Sequence, residues 1–307
     1  MIYDISHRTT FEYSSTVDIS QHLLHLTPRG RQRQTLHRNA LLVSPTPTLT
    51  QPSFDYFGNP TTYLTVQVPH KTLTISSSSQ VEIDESIEPP APGATMAWDR
   101  LSKMLATALD EDLAGRLFDV EDNSALDIQQ YMFESPFTGS KAARAYAEPS
   151  FPPGRAVLSG AVDLMQRIFK DFKYKGGVTD IYTPVDHVLK ERQGVCQDFA
   201  HLQIACMRAL HLPARYVSGY LLTHPPEGQK KLVGSDASHA WLSVWTPEFG
   251  WVDLDPTNNL LPYDEHITIA WGRDYGDVSP VTGLVLGGGE QIVEVAVDVR
   301  PATNGIE

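Results

Sequence analysis

Cysteine is nearly missing: Cys196 and Cys206 are the only two in 307 residues. That excludes a disulfide framework, and a reducing compartment leaves both thiols free. Basic residues are also in deficit, with 24 Lys and Arg against 37 Asp and Glu, a formal net charge of -13 and a pI near 5.2. This balance argues against a nucleic-acid partner, because phosphate binding depends on clustered Lys and Arg. No apolar run approaches the roughly 18 residues a spanning helix needs, so no membrane association is expected. The opening MIYDISHRTTFEY carries no basic n-region, apolar h-region or small-residue cleavage site, and is not read as a secretory signal. Repeats and low-complexity tracts are missing too. These absences predict a soluble, cytoplasmic protein. With 41% apolar and 20% charged residues, the composition is ordinary for a globular chain, and the length suits two units with separate cores.

The first 90 residues alternate apolar and polar side chains in IYDISHRTTFEY, PTTYLTVQVP and KTLTISSSSQVEI, with turn signals such as Phe57-Gly58-Asn59-Pro60 between them. Short strands at this spacing predict an N-terminal antiparallel β-sandwich or barrel over residues 1–90. Glu88-Pro89-Pro90-Ala91-Pro92-Gly93 continues neither a strand nor a helix and reads as a linker. The period then changes. Helical spacing appears near 96–109, in shorter pieces around 124–132 and 140–147, and again over about 156–173, so residues 91–150 read as a helical connecting region. From 184 to 256 the expected order is helix, helix, strand, strand, strand: an α+β core spanning 151–307. The tail LVLGGGEQIVEVAVDV adds a glycine run and one more strand.

Cys196 precedes the apolar helix pattern of CQDFAHLQIACMRALHL, so it falls at a helix N-terminus. There the unpaired amides and the positive dipole end favour thiolate over thiol, and the same amides can donate to an oxyanion. Gly194, just upstream, lets the chain turn and substrate approach the backbone. Cys206 lies ten residues further on, about 280° around the helix, among Ile204, Ala205 and Met207, and reads as an inert core thiol. A nucleophilic cysteine needs a base and a group to orient it. His239, at the start of the strand-like SHAWLSVW, can project into a cleft while its backbone stays fixed. In GWVDLDPTN, Asp253 and Asp255 share one face of a strand, and either fits the orienting role on spacing alone.

Other assignments are weaker. Asp198 and His201 lie about 200° and 140° around the helix from Cys196, so they read as supporting residues rather than partners of the thiol. Trp241 is placed either to wall the cleft or to pack at its edge. No paired C-x-x-C or H-x-x-x-H supports zinc on Cys196, His201 and His239, and Asp253, Asp255 and Asp264 lack calcium-loop spacing. No metal and no cofactor are expected.

Taken in order, GVCQDFAH, ARYVSGYL, SHAWLSVW and GWVDLDPTN closely resemble the bacterial transglutaminase-like superfamily, whose members include cysteine proteases. The resemblance implies that Cys196 is the nucleophile, His239 the base and Asp255, rather than Asp253, the residue that orients it. It implies a papain/transglutaminase-like core, in which the helix bearing the cysteine packs on an antiparallel sheet. Asp55-Tyr56-Phe57-Gly58-Asn59 resembles the N-terminal domain that often precedes this core, and the stretch His266–Pro280, with Trp271-Gly272-Arg273-Asp274-Tyr275, also looks familial. The activity expected is thiol-dependent acyl transfer on a peptide or protein substrate through a thioester, with hydrolysis favoured over cross-linking. The alternatives are a catalytically inactive peptide-binding scaffold or a protein-glutamine gamma-glutamyltransferase.

Overall fold

The computed structural model describes residues 1–107, 125–223 and 238–302. Strand β1 (Ile2–Leu24) organises the N-terminal domain. Its companions are β2 (Gln34–Ser44), β3 (Leu49–Phe54), β4 (Pro60–Val66) and β5 (His70–Ile83). The first half of β1 pairs with β5, which carries β2, while its second half pairs with β4, which carries β3. The sheet is therefore folded over along one shared strand. Tyr13, Val17 and Leu24 of β1 meet Leu64 and Val66 of β4 and Leu73 and Ile75 of β5 in the space between the halves. The alternating pattern of the sequence is what fills that space.

The helical part contains α1 (Trp98–Thr107), α2 (Ala125–Gln129), α3 (Ala143–Ala147), α4 (Val157–Asp171), α5 (Val185–Glu191) and α6 (Cys196–Ala209). Residues 108–109 of the first expected helix lie outside the described residues. On α4 the apolar stripe of Val157, Ala161, Leu164, Met165 and Ile168 faces inward at helical spacing. On α6 every residue from Asp198 to Arg208 is buried, so this helix is enclosed on all sides. Two-residue strands β6 (Lys173–Tyr174) and β7 (Gln193–Gly194) pair in parallel just ahead of it.

The core sheet comprises β8 (Ala214–Leu221), β9 (Ser238–Thr246), β10 (Gly250–Leu254) and β11 (His266–Gly272), all antiparallel, in the order β10-β9-β8-β11. This is the α+β order expected over 184–256. A short helix, α7 (Tyr275–Val278), follows.

The C-terminal extension, assigned from sequence to the 151–307 unit, pairs instead with the N-terminal sheet. It forms two strands rather than one, β12 (Val281–Gly287) and β13 (Gln291–Pro301), and both lie against β1. Between them Gly287, Gly288 and Gly289 all take positive φ, at 92°, 86° and 66°. They follow β1 around its own corner, where Ser15 N donates to Gly288 O at 2.9 Å and Gly288 N to Thr16 O at 3.0 Å. Residues with a Cβ rarely adopt this backbone.

The two domains share a hydrophobic core. Tyr3, Ile5, Val81, Ile83, Val297 and Val299 of the N-terminal sheet belong to the same buried cluster as Leu202, Ile204, Leu242 and Ile267 of the core. Polar contacts add register. Asn59, fully buried at the end of the Asp55–Asn59 turn, donates to Trp271 O at 2.8 Å and accepts from Trp271 N at 2.9 Å. Among the described residues, no helix is long and apolar enough to cross a membrane.

Candidate active site

Cys196 is the first residue of α6 and is half-buried with a free thiol. The chain reaches it through β7, whose Gly194 pairs with Tyr174 and whose carbonyl accepts from Lys175 N at 2.8 Å. Asp198 caps the helix: its Oδ2 accepts from Val195 N and from Thr179 Oγ1, each at 2.7 Å. Burial pushes this carboxyl up, and the two hydrogen bonds oppose that shift. The need for glycine at 194 follows. A Cβ there stands 2.7 Å from Asp198 Oδ2 and 2.9 Å from its Cβ. Gly194 thus admits the capping carboxylate, and its place in β7 is a strand position rather than the sharp turn expected.

His239 lies one residue into β9, opposite Gly219 of β8. Its Nε2 donates to Asp255 Oδ2 at 2.7 Å. Burial alone would lower the imidazole's pKa, but the hydrogen bonds with Asp255 and Cys196 and their charges raise it to about 10. Trp241 sits beneath the ring, stacked at 6.0 Å. It is fully buried, so it supports His239 from below and does not wall the cleft. Gly219 makes room for it, since a Cβ there meets the indole at 2.4 Å.

Asp255 follows β10 in a tight loop closed by its own backbone, with Asp255 N donating to Leu260 O at 2.9 Å. The carboxylate is completely buried and richly paired. Oδ1 accepts from the backbone amides of Thr257 and Asn258 at 2.9 and 3.2 Å. Oδ2 accepts from His239 at 2.7 Å, from Asn258 Nδ2 at 2.7 Å and from His266 Nε2 at 2.9 Å. Burial would raise its pKa, yet the hydrogen bonds from His239 and His266 hold it well below the usual carboxylate range. Asp253 serves elsewhere: it accepts from Ser243 Oγ at 2.5 Å and from Arg31 Nη1 at 2.6 Å. The choice that spacing left open is resolved by the strand's end, where only Asp255 reaches His239.

The remaining sequence candidates stand apart from the thiol. His201 stacks on Phe137 at 5.6 Å and accepts from Tyr275 N at 3.2 Å. Burial lowers its pKa to about 3, so it is a neutral packing residue. Cys206 is buried, donates to Ala143 O at 3.4 Å, and has its thiol pKa pushed up by burial. Sequence reasoning overlooked His266 and Asn258 as site residues, although Asn258 is the last residue of the quoted GWVDLDPTN. His266 opens β11 and begins the familial stretch His266–Pro280, but nothing local marked its side chain as a partner of Asp255. Among the described residues, His239, Asp255 and His266 are the one group with metal-compatible spacing. Both imidazole Nε2 atoms converge on Asp255 Oδ2, so the group is a hydrogen-bonded cluster centred on the carboxylate.

Comparison with known proteins places this arrangement. Residues 144–256 match the transglutaminase-like superfamily, and residues 3–82 match the bacterial transglutaminase-like N-terminal region. An uncharacterised protein of Mycobacterium tuberculosis is 42% identical over 304 residues, covering 97% of this chain and 92% of its own length. A Mycobacterium leprae protein is 32% identical over 299 residues, covering 96% and 97%. A protein-glutamine gamma-glutamyltransferase of Pseudomonas aeruginosa is 32% identical over 131 residues, 41% of this chain and 20% of that one. In structure, a Cytophaga hutchinsonii protein provisionally named a cysteine protease superposes with a TM-score of 0.72 at 21% identity, covering 100% of this chain and 92% of that one. The chain belongs to the transglutaminase-like superfamily.

Proposed function

We propose that the protein is a thiol hydrolase acting on peptide or isopeptide amide bonds. The observation that carries this reading is His239, held by Asp255 at 2.7 Å through Nε2, with Cys196 as the second group whose hydrogen bonding and charge raise the imidazole's pKa. In the reaction, the Cys196 thiolate attacks the amide carbonyl, and first-turn amides of α6, which have no partner within the helix, receive the oxyanion. Imidazolium His239 gives its proton to the leaving amine as the C–N bond breaks, producing a thioester. Neutral His239 then takes a proton from water, whose oxygen attacks the thioester, and the released Cys196 thiolate restores the ion pair. Asp255 orients the ring and stabilises its charged form throughout.

The test is stoichiometric labelling by a thiol-directed amide-mimetic electrophile, with turnover measured on peptide and isopeptide libraries. Labelling is expected at Cys196 and lost in Cys196→Ala. Wild type that does not label, or a mutant that labels equally, sinks the hypothesis.

A second reading is transfer to an amine, and the partial likeness to the Pseudomonas aeruginosa transferase favours it. It differs only in what attacks the thioester. Incorporation of a primary amine into a glutamine-containing protein, faster than hydrolysis, would establish it.

A further inference from the structure

Asp255 Oδ2 takes a second imidazole that the reaction above does not use. From this geometry we infer that His266 is a positioning residue, tuning how firmly Asp255 holds the proton on His239; the inference rests on Cys196 and His239 acting as the nucleophile pair.

Holding Asp255 in place does not require His266. Asn258 Nδ2 at 2.7 Å and the amides of Thr257 and Asn258 already fix both carboxylate oxygens. What His266 adds is a donor 2.9 Å from the very oxygen that receives His239 at 2.7 Å. Each donor on one oxygen draws on the same negative charge, so a third weakens the hold on the other two. To donate from Nε2, His266 must carry its proton there.

The ring is well fixed. His266 is 8% exposed and opens β11, where it pairs with Leu221 of β8. It meets the Trp241 indole edge-on at 5.1 Å and the His239 ring at 5.8 Å. One indole therefore supports both imidazoles. Among the described residues, the titratable groups facing Asp255 are His239 on β9 and His266 on β11. Those facing His239 are Asp255, Cys196 and His266 itself, and Cys196 in turn faces Tyr174 on β6 and Tyr216 on β8.

The experiment measures Cys196 carboxamidomethylation by iodoacetamide between pH 5 and 11 in the full chain, beside kcat and KM on a cleaved peptide. The upper step of the rate profile reports His239 losing its proton. In His266→Phe, which keeps a ring but no donor, this step is expected to rise by about 0.5–1 pH unit, a roughly three- to tenfold tighter proton. kcat is expected to fall about tenfold with KM unchanged. His266→Gln restores a donor and is expected to return the step to the wild-type position. If His266→Phe does not fold, His266→Asn, too short to reach Asp255, replaces it with the same expected rise. An upper step that stays put or falls in the donor-less variant overturns the inference, as does an equal rise in His266→Gln. If the step moves but wild type cleaves nothing, the hydrolase reading fails and this one stands.

Discussion

Arg31 and Asp253 meet at 2.6 Å across the boundary between the N-terminal domain and the transglutaminase-like core. The same guanidinium donates to Thr268 Oγ1 at 3.0 Å, and Gln34 brackets the Thr268 backbone with bonds of 2.7 and 2.8 Å. The loop between β1 and β2 thereby braces β10 and β11, the strands that deliver Asp255 and His266. Asp253, which resembles a catalytic residue in sequence, is a buried anchor for the neighbouring domain.

The two aspartates are therefore expected to fail differently when each is replaced by Asn. Asp255→Asn should cost on the order of 100-fold or more in kcat, because the ring of His239 loses its charged partner. Asp253→Asn should leave kcat within a few-fold and lower thermal stability, since Arg31 is left in a poorly hydrated site without its counter-ion. Steady-state kinetics and melting curves on both variants separate the roles. Equal kcat losses would contradict the assignment.

Only one of the two thiols should react in the folded protein. Cys206 is enclosed, whereas Cys196 is half-buried at a helix start. Titration with a thiol reagent should count one group natively and two after denaturation. Cys206→Ala should keep full labelling and activity.

Gly194→Ala should damage the site without touching any reacting group. The added methyl displaces Asp198 from Val195 N, loosening the first turn of α6 where Cys196 sits. A fall in kcat of roughly tenfold with retained secondary structure is expected, the size of a lost helix cap converted to rate. Thr179→Val, which removes only one partner of Asp198, should be milder.

Acid should destabilise the fold over a defined window. His7, His22 and His201 have pKa values lowered by burial to about 4, 4 and 3 from an ordinary 6.5. Such groups are neutral in both states above pH 6.5, so their contribution is then constant. Below 6.5 the unfolded chain binds protons that the folded one refuses, and stability falls as pH drops towards about 4. His239 works at the other end: its raised pKa stabilises the fold fully below pH 6.5, and this is lost as pH rises through about 10. Melting temperature against pH should fall on both flanks. His201→Gln should flatten the acid flank alone.

Much of this was legible in the sequence for identifiable reasons. Cys196 could be found because a polar start running into an apolar helix marks an N-terminus, and α6 begins there. The alternation in β1 and β5 survived because each buries one face. What was hidden depended on long-range pairing. No local pattern says that residues 281–301 return to β1, nor that His266 reaches Asp255. The roles of Asp253 and Trp241 were also beyond local reading, since Arg31 stands 222 positions away and the space beneath His239 exists only because Gly219 lies across the strand.

The return of β12 and β13 to β1 also orders events during biosynthesis. Residues 2–24 emerge from the ribosome well before their partners at 281–301, and Cys196, His239 and Asp255 emerge in between. One edge of β1 stays open until translation has passed all three of these residues. Val297 and Val299, which complete the core shared by both domains, arrive after Cys196 and His239. A nascent chain therefore carries Cys196, His239 and Asp255 before it has the β13 packing that completes the core around them.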